Sequence, residues 1–371
     1  MIPLSSPDIT EQDIEAVVSV MRTPQLSLGP KLAVFEDTMA GYVGVPYGIA
    51  LSSGTAGLHL GLQALGISEG DEVILPSFTF IAAANAVLFQ RAIPVFAEID
   101  SVTLNLDPAL IERAITAKSR AIIVTHTFGH PADLGPILSI AEKHGLRVIE
   151  DACEAIGAEY QGQKIGSFGD IGVFSFYPNK PITTGEGGVV VTRDHELANT
   201  LRALRNQGRR EGDGWLEHSV LGYNYRLPEI SCALGISQMA RIESILTRRE
   251  TIARRYCEIL QANPDVTAPE MQVPDGRLSW FAFVVRLADG FTRCERDRVV
   301  HHLTTHGIGC RPYFPPIHLQ PLYRPYDDRG FMLPVTEHVS SRTLALPFFN
   351  SLAEHEIAEV CRVLEEACSR V

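Results

Sequence analysis

The chain has 371 residues, 45% of them apolar and 20% charged, and 32 basic against 44 acidic residues leave a formal charge of −12. That balance is too apolar for a disordered chain. The negative charge also excludes an extended cationic footprint for nucleic acid. The length exceeds what one core usually serves, so two domains are expected.

The opening stretch, Met1 to Asp8, lacks the basic and apolar regions of a signal peptide. From there, seven β-branched, apolar runs are predicted as strands: Tyr47–Leu51, Glu72–Leu75, Pro94–Glu98, Ala121–Thr125, Arg147–Glu150, Gly172–Phe176 and Gly188–Thr192. Several are apolar throughout, as expected of strands covered on both faces. Helical patterns separate them. Ala56–Leu65 places Leu58, Leu62 and Leu65 on one face, Asp107 is suited to cap Pro108–Thr116, and Pro131–His144 is a third. Such alternation implies a mostly parallel, seven-stranded sheet wrapped by helices.

Beyond about residue 230 the pattern changes. One long helix is predicted over Cys232–Ala262, leading to a smaller C-terminal α+β domain. There Trp280–Leu287 reads as a strand, Glu295–His306 and Leu352–Ser369 as helices, and the Pro-rich stretch Pro312–Pro325 as an ordered loop. The division expected is a large domain over 1–240, with the N-terminal segment, and a small one over 241–371. Arg205, Arg209 and Arg210 form a basic cluster, read as a solvated loop.

Three segments fall at carboxyl ends of predicted strands, where open parallel sheets form their ligand crevice. In Leu51-Ser52-Ser53-Gly54-Thr55-Ala56-Gly57, small residues allow close backbone approach and a helix N-terminus offers N–H groups to an anion. No Gly-Lys-Ser/Thr follows, so this is not a nucleotide P-loop. Val148-Ile149-Glu150-Asp151-Ala152-Cys153-Glu154 puts acids at the end of an apolar strand, where each needs a partner or serves as a cap. Phe174 to Gly188 holds Lys180 between a buried strand and a Gly-rich turn. Each segment alone has an ordinary structural explanation. Together they fit pyridoxal 5′-phosphate (PLP) chemistry: a lysine for the aldehyde, an acid for the pyridine nitrogen, a helix N-terminus for the phosphate.

At these residues the chain resembles the DegT/DnrJ/EryC1/StrS family of sugar aminotransferases. The likeness rests on Ser53-Gly54-Thr55-Ala56, Pro76-Ser77-Phe78-Thr79-Phe80, Glu150-Asp151-Ala152, Ser175 through Gly188, Gly222-Tyr223-Asn224-Tyr225-Arg226, and Pro315-Pro316-Ile317-His318. It implies PLP fold type I, aspartate aminotransferase-like, with the cofactor domain first. It implies that Lys180 carries PLP, that Asp151 faces the pyridine nitrogen, and that Gly54, Thr55 and Ser175 bind the phosphate. Phe80 would stack on the ring and Glu154 would sit near its phenolic oxygen. Asn224 would reach the phosphate of a neighbouring subunit, making a homodimer with shared sites. Arg226 and His318 would contact the substrate.

The family's usual donor is L-glutamate, and the acceptor a nucleotide-linked keto sugar. Glu154, with Asn179 directly before the lysine, is similar to members that aminate GDP-4-keto-6-deoxymannose to GDP-perosamine. Tyr177-Pro178 stands where that group commonly has Phe-Gly. Acceptors linked to UDP or dTDP, or aminated at C3, are the alternative. A dehydratase of the same fold would carry His in place of Lys180, and a non-catalytic regulator would lack Lys180 or Asp151. An amino-acid aminotransferase would need Arg311 or Arg342 for a carboxylate. Seven dispersed cysteines without a CxxC pair suggest reduced thiols and no zinc spacing. No apolar run approaches the ~20 residues that span a bilayer. A cytoplasmic enzyme without membrane or metal is therefore expected.

Overall fold

The computed structural model describes residues 1–326 and 332–371. In chain order the helices are α1 (Glu11–Met21), α2 (Pro30–Val43), α3 (Gly54–Ala64), α4 (Ala82–Phe89), α5 (Pro108–Ile111), α6 (Leu134–His144), α7 (His195–Arg205), α8 (Glu229–Met239), α9 (Ile242–Leu260), α10 (Arg293–Thr305), α11 (Pro334–Arg342) and α12 (Glu354–Cys368). The strands are β1 (Tyr47–Leu51), β2 (Glu72–Pro76), β3 (Ile93–Ala97), β4 (Ser119–Thr125), β5 (Arg147–Asp151), β6 (Glu159–Tyr160), β7 (Gln163–Lys164), β8 (Ile171–Ser175), β9 (Gly188–Thr192), β10 (Val266–Thr267), β11 (Phe283–Leu287) and β12 (Thr343–Leu346).

A seven-stranded sheet runs β1-β9-β8-β5-β4-β2-β3. Only β9 opposes its neighbours; the pairs among β8, β5, β4, β2 and β3 are parallel. Each predicted strand is present to within a residue or two. Their continuous apolar runs are explained by burial from both sides. One face packs Phe35 and Met39 of α2 and Ile137 of α6; the other packs Leu58 and Leu62 of α3 and Leu201 of α7. Helix α3 lies very close to the sheet because Gly57 and Gly61 face it. A Cβ on Gly57 would come 2.7 Å from Val173 Cγ1, and one on Gly61 would run into Ile171.

The C-terminal part is built on the three-stranded antiparallel sheet β10-β11-β12, with α10 and α12 packed around a core of Phe283, Val299, Leu344 and Leu364. The N-terminal residues pair with this part of the chain. Ile2 N–H donates to Gly307 O at 2.8 Å and Phe348 N–H to Leu4 O at 2.9 Å. The predicted helix over 232–262 is two helices, broken at Ala240-Arg241, where Arg241 has φ −121°. No Gly or Pro marks the break. Instead the Arg241 guanidinium is drawn to Asp8 (2.8 Å) and Asp13 (3.1 Å), so contacts from the N-terminal segment fix the kink. The expected solvated basic loop is also only partly so. Arg205 is buried and pairs with Glu36 and the Ala50 carbonyl, while Arg210 stays exposed.

A clamp joins the large sheet to the C-terminal part. Just past β3, the buried Glu98 carboxylate accepts from Val335 N–H (2.9 Å), Thr336 N–H (2.9 Å) and Thr336 Oγ1 (2.6 Å), closing the N-terminus of α11.

Candidate active site

The carboxyl ends of β1, β2, β5 and β8 and the start of β9 lie along one edge of the sheet. The register pairs Asp151 of β5 with Val173 of β8, Ser175 with Gly188, and Gly188 with Leu51. The three segments singled out from the sequence thus meet at one place.

Helix α3 begins there. Ser53 Oγ accepts from Ala56 N–H at 3.0 Å and Ser53 O from Gly57 N–H at 3.1 Å, leaving the Gly54 and Thr55 N–H groups without a partner among the described residues. Glycine at 54 is a packing requirement: a Cβ would stand 2.8 Å from Ser175 Cβ and 2.9 Å from Cys153 Sγ. Gly188 is equally constrained, since its Cβ would lie 2.6 Å from the Ser53 backbone. The result is a tight cradle of free N–H groups and the half-buried Ser175 hydroxyl, fit for a phosphate.

Asp151 is 7% exposed, and its Oδ1 accepts from Cys153 N–H at 3.2 Å. Its neighbour Glu150 takes the opposite side of the strand. There its carboxylate is bonded by the N–H groups of Gly166 (2.7 Å), Phe168 (2.7 Å) and Gly169 (2.8 Å) and lies 3.3 Å from His126 Nε2. Of the two adjacent acids, one is consumed by the fold and the other is left facing the site.

Lys180 Nζ stands 3.6 Å from Glu154 Oε1, with both side chains nearly buried. The other Glu154 oxygen accepts from Phe128 N–H at 3.0 Å. Burial pushes the Glu154 carboxyl above its ordinary value; Lys180 and the Phe128 N–H pull against this, and Asp151 adds to it. Burial likewise raises the neighbouring Cys153 thiol, with Asp151 as the next cause. On its far side Lys180 Nζ lies 3.9 Å from the centroid of the Phe281 ring. Phe80, by contrast, is 60% exposed, an apolar residue open to a flat ligand.

Asn224 is exposed and Arg226 half-buried. Arg226 bridges to Leu51 through the backbone, and its guanidinium donates to Asn206 Oδ1 at 2.9 Å. His318 has its partners within the fold. It is buried, with Nδ1 2.6 Å from Ser77 Oγ and Nε2 3.4 Å from Glu337. A buried imidazole requires such partners, and both ring nitrogens already have them, so His318 ties the Pro-Pro-Ile-His turn to the end of β2. Arg342 is also buried, held by the Leu287 carbonyl at 2.8 Å and by Asp289 at 2.6 Å. Phe281 and Phe128 were not legible as site residues: Phe281 belongs to the apolar run Trp280–Leu287, and Phe128 to the short loop between Thr125 and Pro131.

The DegT/DnrJ/EryC1/StrS aminotransferase family matches residues 7–365. The chain belongs to that family. It is 39% identical to the GDP-perosamine synthase of Caulobacter vibrioides over 98% of each chain. It is 40% identical to the UDP-N-acetyl-3-dehydro-alpha-D-glucosamine 3-aminotransferase of Acidithiobacillus ferrooxidans, over 96% of this chain and 94% of that one. The crystal structure of S. venezuelae DesV, in complex with a ketimine intermediate, superposes with a TM-score of 0.89 at 37% identity, covering 97% of this chain and 95% of that one. This protein is accordingly a PLP-dependent sugar aminotransferase of fold type I. The cradle at Gly54, the buried acid Asp151, the open face of Phe80 and the nearly buried Lys180 fit that cofactor. Among the described residues no helix is long and apolar enough to cross a membrane, and no cluster of side chains suits a metal ion.

Proposed function

We propose that Lys180 is the cofactor lysine and that the enzyme moves the amino group of L-glutamate onto a nucleotide-linked 4-keto-6-deoxy sugar. GDP-4-keto-6-deoxymannose is the first choice, giving GDP-perosamine. The observation that carries the assignment of the lysine is its convergence with Glu154 and Asp151 at one strand end, Nζ lying 3.6 Å from the Glu154 carboxylate.

When bound, PLP supplies an electron sink for the carbon that gains or loses the amine. The chain's own groups do the rest. Asp151, buried on the site side of β5, would accept a hydrogen bond from the pyridine nitrogen and so favour its protonated form. Ser175 and the N–H groups of Gly54 and Thr55 would hold the phosphate, and Phe80 would cover the ring face. Lys180 Nζ takes the proton from the glutamate α-carbon in the first half-reaction and delivers one to the sugar carbon in the second. Glu154, whose ionisation is disfavoured by burial, holds a proton or an ion pair beside Nζ as the lysine changes charge.

Asn224 completes the phosphate site of a second subunit, and Arg226 meets the diphosphate of the sugar nucleotide. A homodimer is supported by the apolar side chains of the same stretch, Trp215 (87% exposed), Leu216 (64%) and Leu221 (81%), which a second copy would cover. The GDP-linked acceptor is supported by Glu154 with Asn179 and by likeness to the Caulobacter enzyme over nearly the full length. The similar identity to the UDP-linked 3-aminotransferase favours a 3-keto acceptor as the second reading. A panel of GDP-, UDP- and dTDP-linked 3- and 4-keto sugars, incubated with holoenzyme and glutamate and read by mass spectrometry, decides between them. Amination of UDP- or dTDP-linked acceptors alone would overturn the GDP assignment.

A further inference from the structure

Lys180 Nζ has two neighbours that are not part of its own segment. One is Glu154; the other is the ring of Phe281, which lies in the stretch leading into β11, about a hundred residues downstream in the sequence. At 3.9 Å from the ring centroid, Nζ sits over the negative face of the π-system, within the range where a cation and an aromatic ring attract. Phe281 is 5% exposed, so this contact is sheltered from water.

The ring is held there by an unusual group. Arg249 of α9 is 3% exposed; burial works against its charge, the Asp8 carboxylate favours it without touching it, and no ion pair is formed among the described residues. Instead its Nε donates to the Trp280 carbonyl at 2.6 Å, one terminal nitrogen to the Phe281 carbonyl at 2.8 Å, and the other to Asn350 Oδ1 at 3.1 Å. Its guanidinium also lies 4.7 Å over the ring of Phe348. Burying a guanidinium without a counter-ion in direct contact is costly and survives only where its hydrogen bonds are met. Here most of those bonds are spent on the carbonyls that set the backbone at Phe281.

The same strip reaches Glu154. Ser279 N–H donates to Gly129 O at 3.0 Å and Phe281 N–H to Phe128 O at 3.4 Å. Phe128 N–H is the donor to Glu154. Gly129, at φ +90°, leaves no room for a Cβ against the Ser279 carbonyl, so the two segments are pressed together. The two groups that flank Nζ are thus set by one pair of joined segments.

We propose that Phe281, fixed by Arg249, is a positioning residue for Lys180: its ring face receives the protonated Nζ and sets the orientation from which that nitrogen transfers protons. This rests on the reading of Lys180 as the cofactor lysine. Leucine would fill much of the same apolar space but offers no π-face, whereas tyrosine keeps the ring. Contact with the ring attracts a cation at Nζ, and leucine removes that attraction.

The test uses holoenzyme carrying Phe281→Leu, Phe281→Tyr or Arg249→Lys, with thermal melting as the check on folding. The pH midpoint of the cofactor's visible absorbance is the main readout. In Phe281→Leu it is expected to fall by about 0.5–1.5 pH units. Both half-reactions are expected to slow by comparable factors of roughly 3- to 30-fold, since each uses Nζ, with little change in KM. Phe281→Tyr restores the midpoint, and Arg249→Lys shifts it in the same direction as the leucine variant. An unshifted midpoint in a folded Phe281→Leu enzyme, or equal shifts for leucine and tyrosine, overturns the proposal. Should Arg249→Lys fail to fold, the Phe281 pair decides the matter alone. Borohydride reduction and peptide mapping separate this from the functional reading. An adduct on another lysine overturns both; an adduct on Lys180 with no midpoint shift overturns only the role of Phe281.

Discussion

Gly54→Ala tests the phosphate cradle directly. Gly54 opens α3 facing the ends of β5 and β8, and an added Cβ would sit 2.8 Å from Ser175 Cβ and 2.9 Å from Cys153 Sγ. Carbon–carbon contacts are comfortable only at about 3.5–4.0 Å, so something must move. Cys153 can turn its thiol aside, but Ser175 Cβ is fixed by the strand backbone, and the start of α3 must back away from it. Gly54 is not among the glycines with positive φ, so the effect is steric and not one of backbone strain. Overpacking of this kind costs about 1–3 kcal/mol of stability. Separating the Gly54 and Thr55 N–H groups from Ser175 should lose about one charge-assisted hydrogen bond to the phosphate, roughly 1.5–3 kcal/mol, or about ten- to a hundredfold in PLP affinity. Affinity is measured by titrating the cofactor-free protein with PLP and following the visible band. The control is Gly41 in α2, which has nothing within 4 Å. Gly41→Ala should stabilise the fold by about 0.5–1 kcal/mol and leave affinity unchanged. A Gly54→Ala protein that binds PLP as tightly as the parent would refute the cradle.

Asp151→Asn should fold normally but lose about ten- to a hundredfold in turnover, because an amide does not hold the pyridine nitrogen protonated; steady-state kinetics beside a melting curve checks both halves. Mixing inactive Lys180→Ala with inactive Asn224→Ala subunits should restore activity through hybrid dimers, and no recovery after proven subunit exchange would count against shared sites. Burial raises the Glu154 carboxyl above its ordinary 4.5, so its contribution to stability is complete below that value and is lost as pH climbs through the raised folded value. Glu154→Gln has no such loss, so in cofactor-free protein the melting-temperature advantage of the parent should shrink as pH rises from about 4 to about 8. Glu98→Ala strands the Val335 and Thr336 N–H donors at the start of α11 and should cost at least about 2–3 kcal/mol in denaturant unfolding.

The sheet was legible because its strands are buried on both faces, which forces continuous apolar runs such as Val189-Val190-Val191 that little else requires. The three segments that meet at the strand ends were legible because their constraints are local: a helix start, a small-residue turn, an acid at a strand end. What was hidden depends on distant partners. Nothing near Ala240-Arg241 announces a break, since the cause is Asp8 and Asp13 some 230 residues earlier. His318 has the residue type of a ligand-binding group, yet Ser77 and Glu337 satisfy it inside the fold.

Glu150 and Asp151 show how far such reasoning reaches. The cost of a buried carboxylate demands that each acid have a partner, and strand alternation sends the two to opposite sides. The sequence cannot say which side faces the ligand. The turn at Gly166–Gly169 spends its N–H groups on Glu150, and the Asp151 carboxylate, bonded by Cys153 N–H, is the one we assign to the ring nitrogen. The same logic applies across the site at Lys180. Its Nζ stands against both the Glu154 carboxylate and the Phe281 ring, and both are set from the joined segments at Phe128 and Phe281. On the proposed assignment, the acid and the base of this site are defined by which neighbours the fold has already supplied, and a change in those neighbours should alter the chemistry while the residues assigned to the cofactor stay in place.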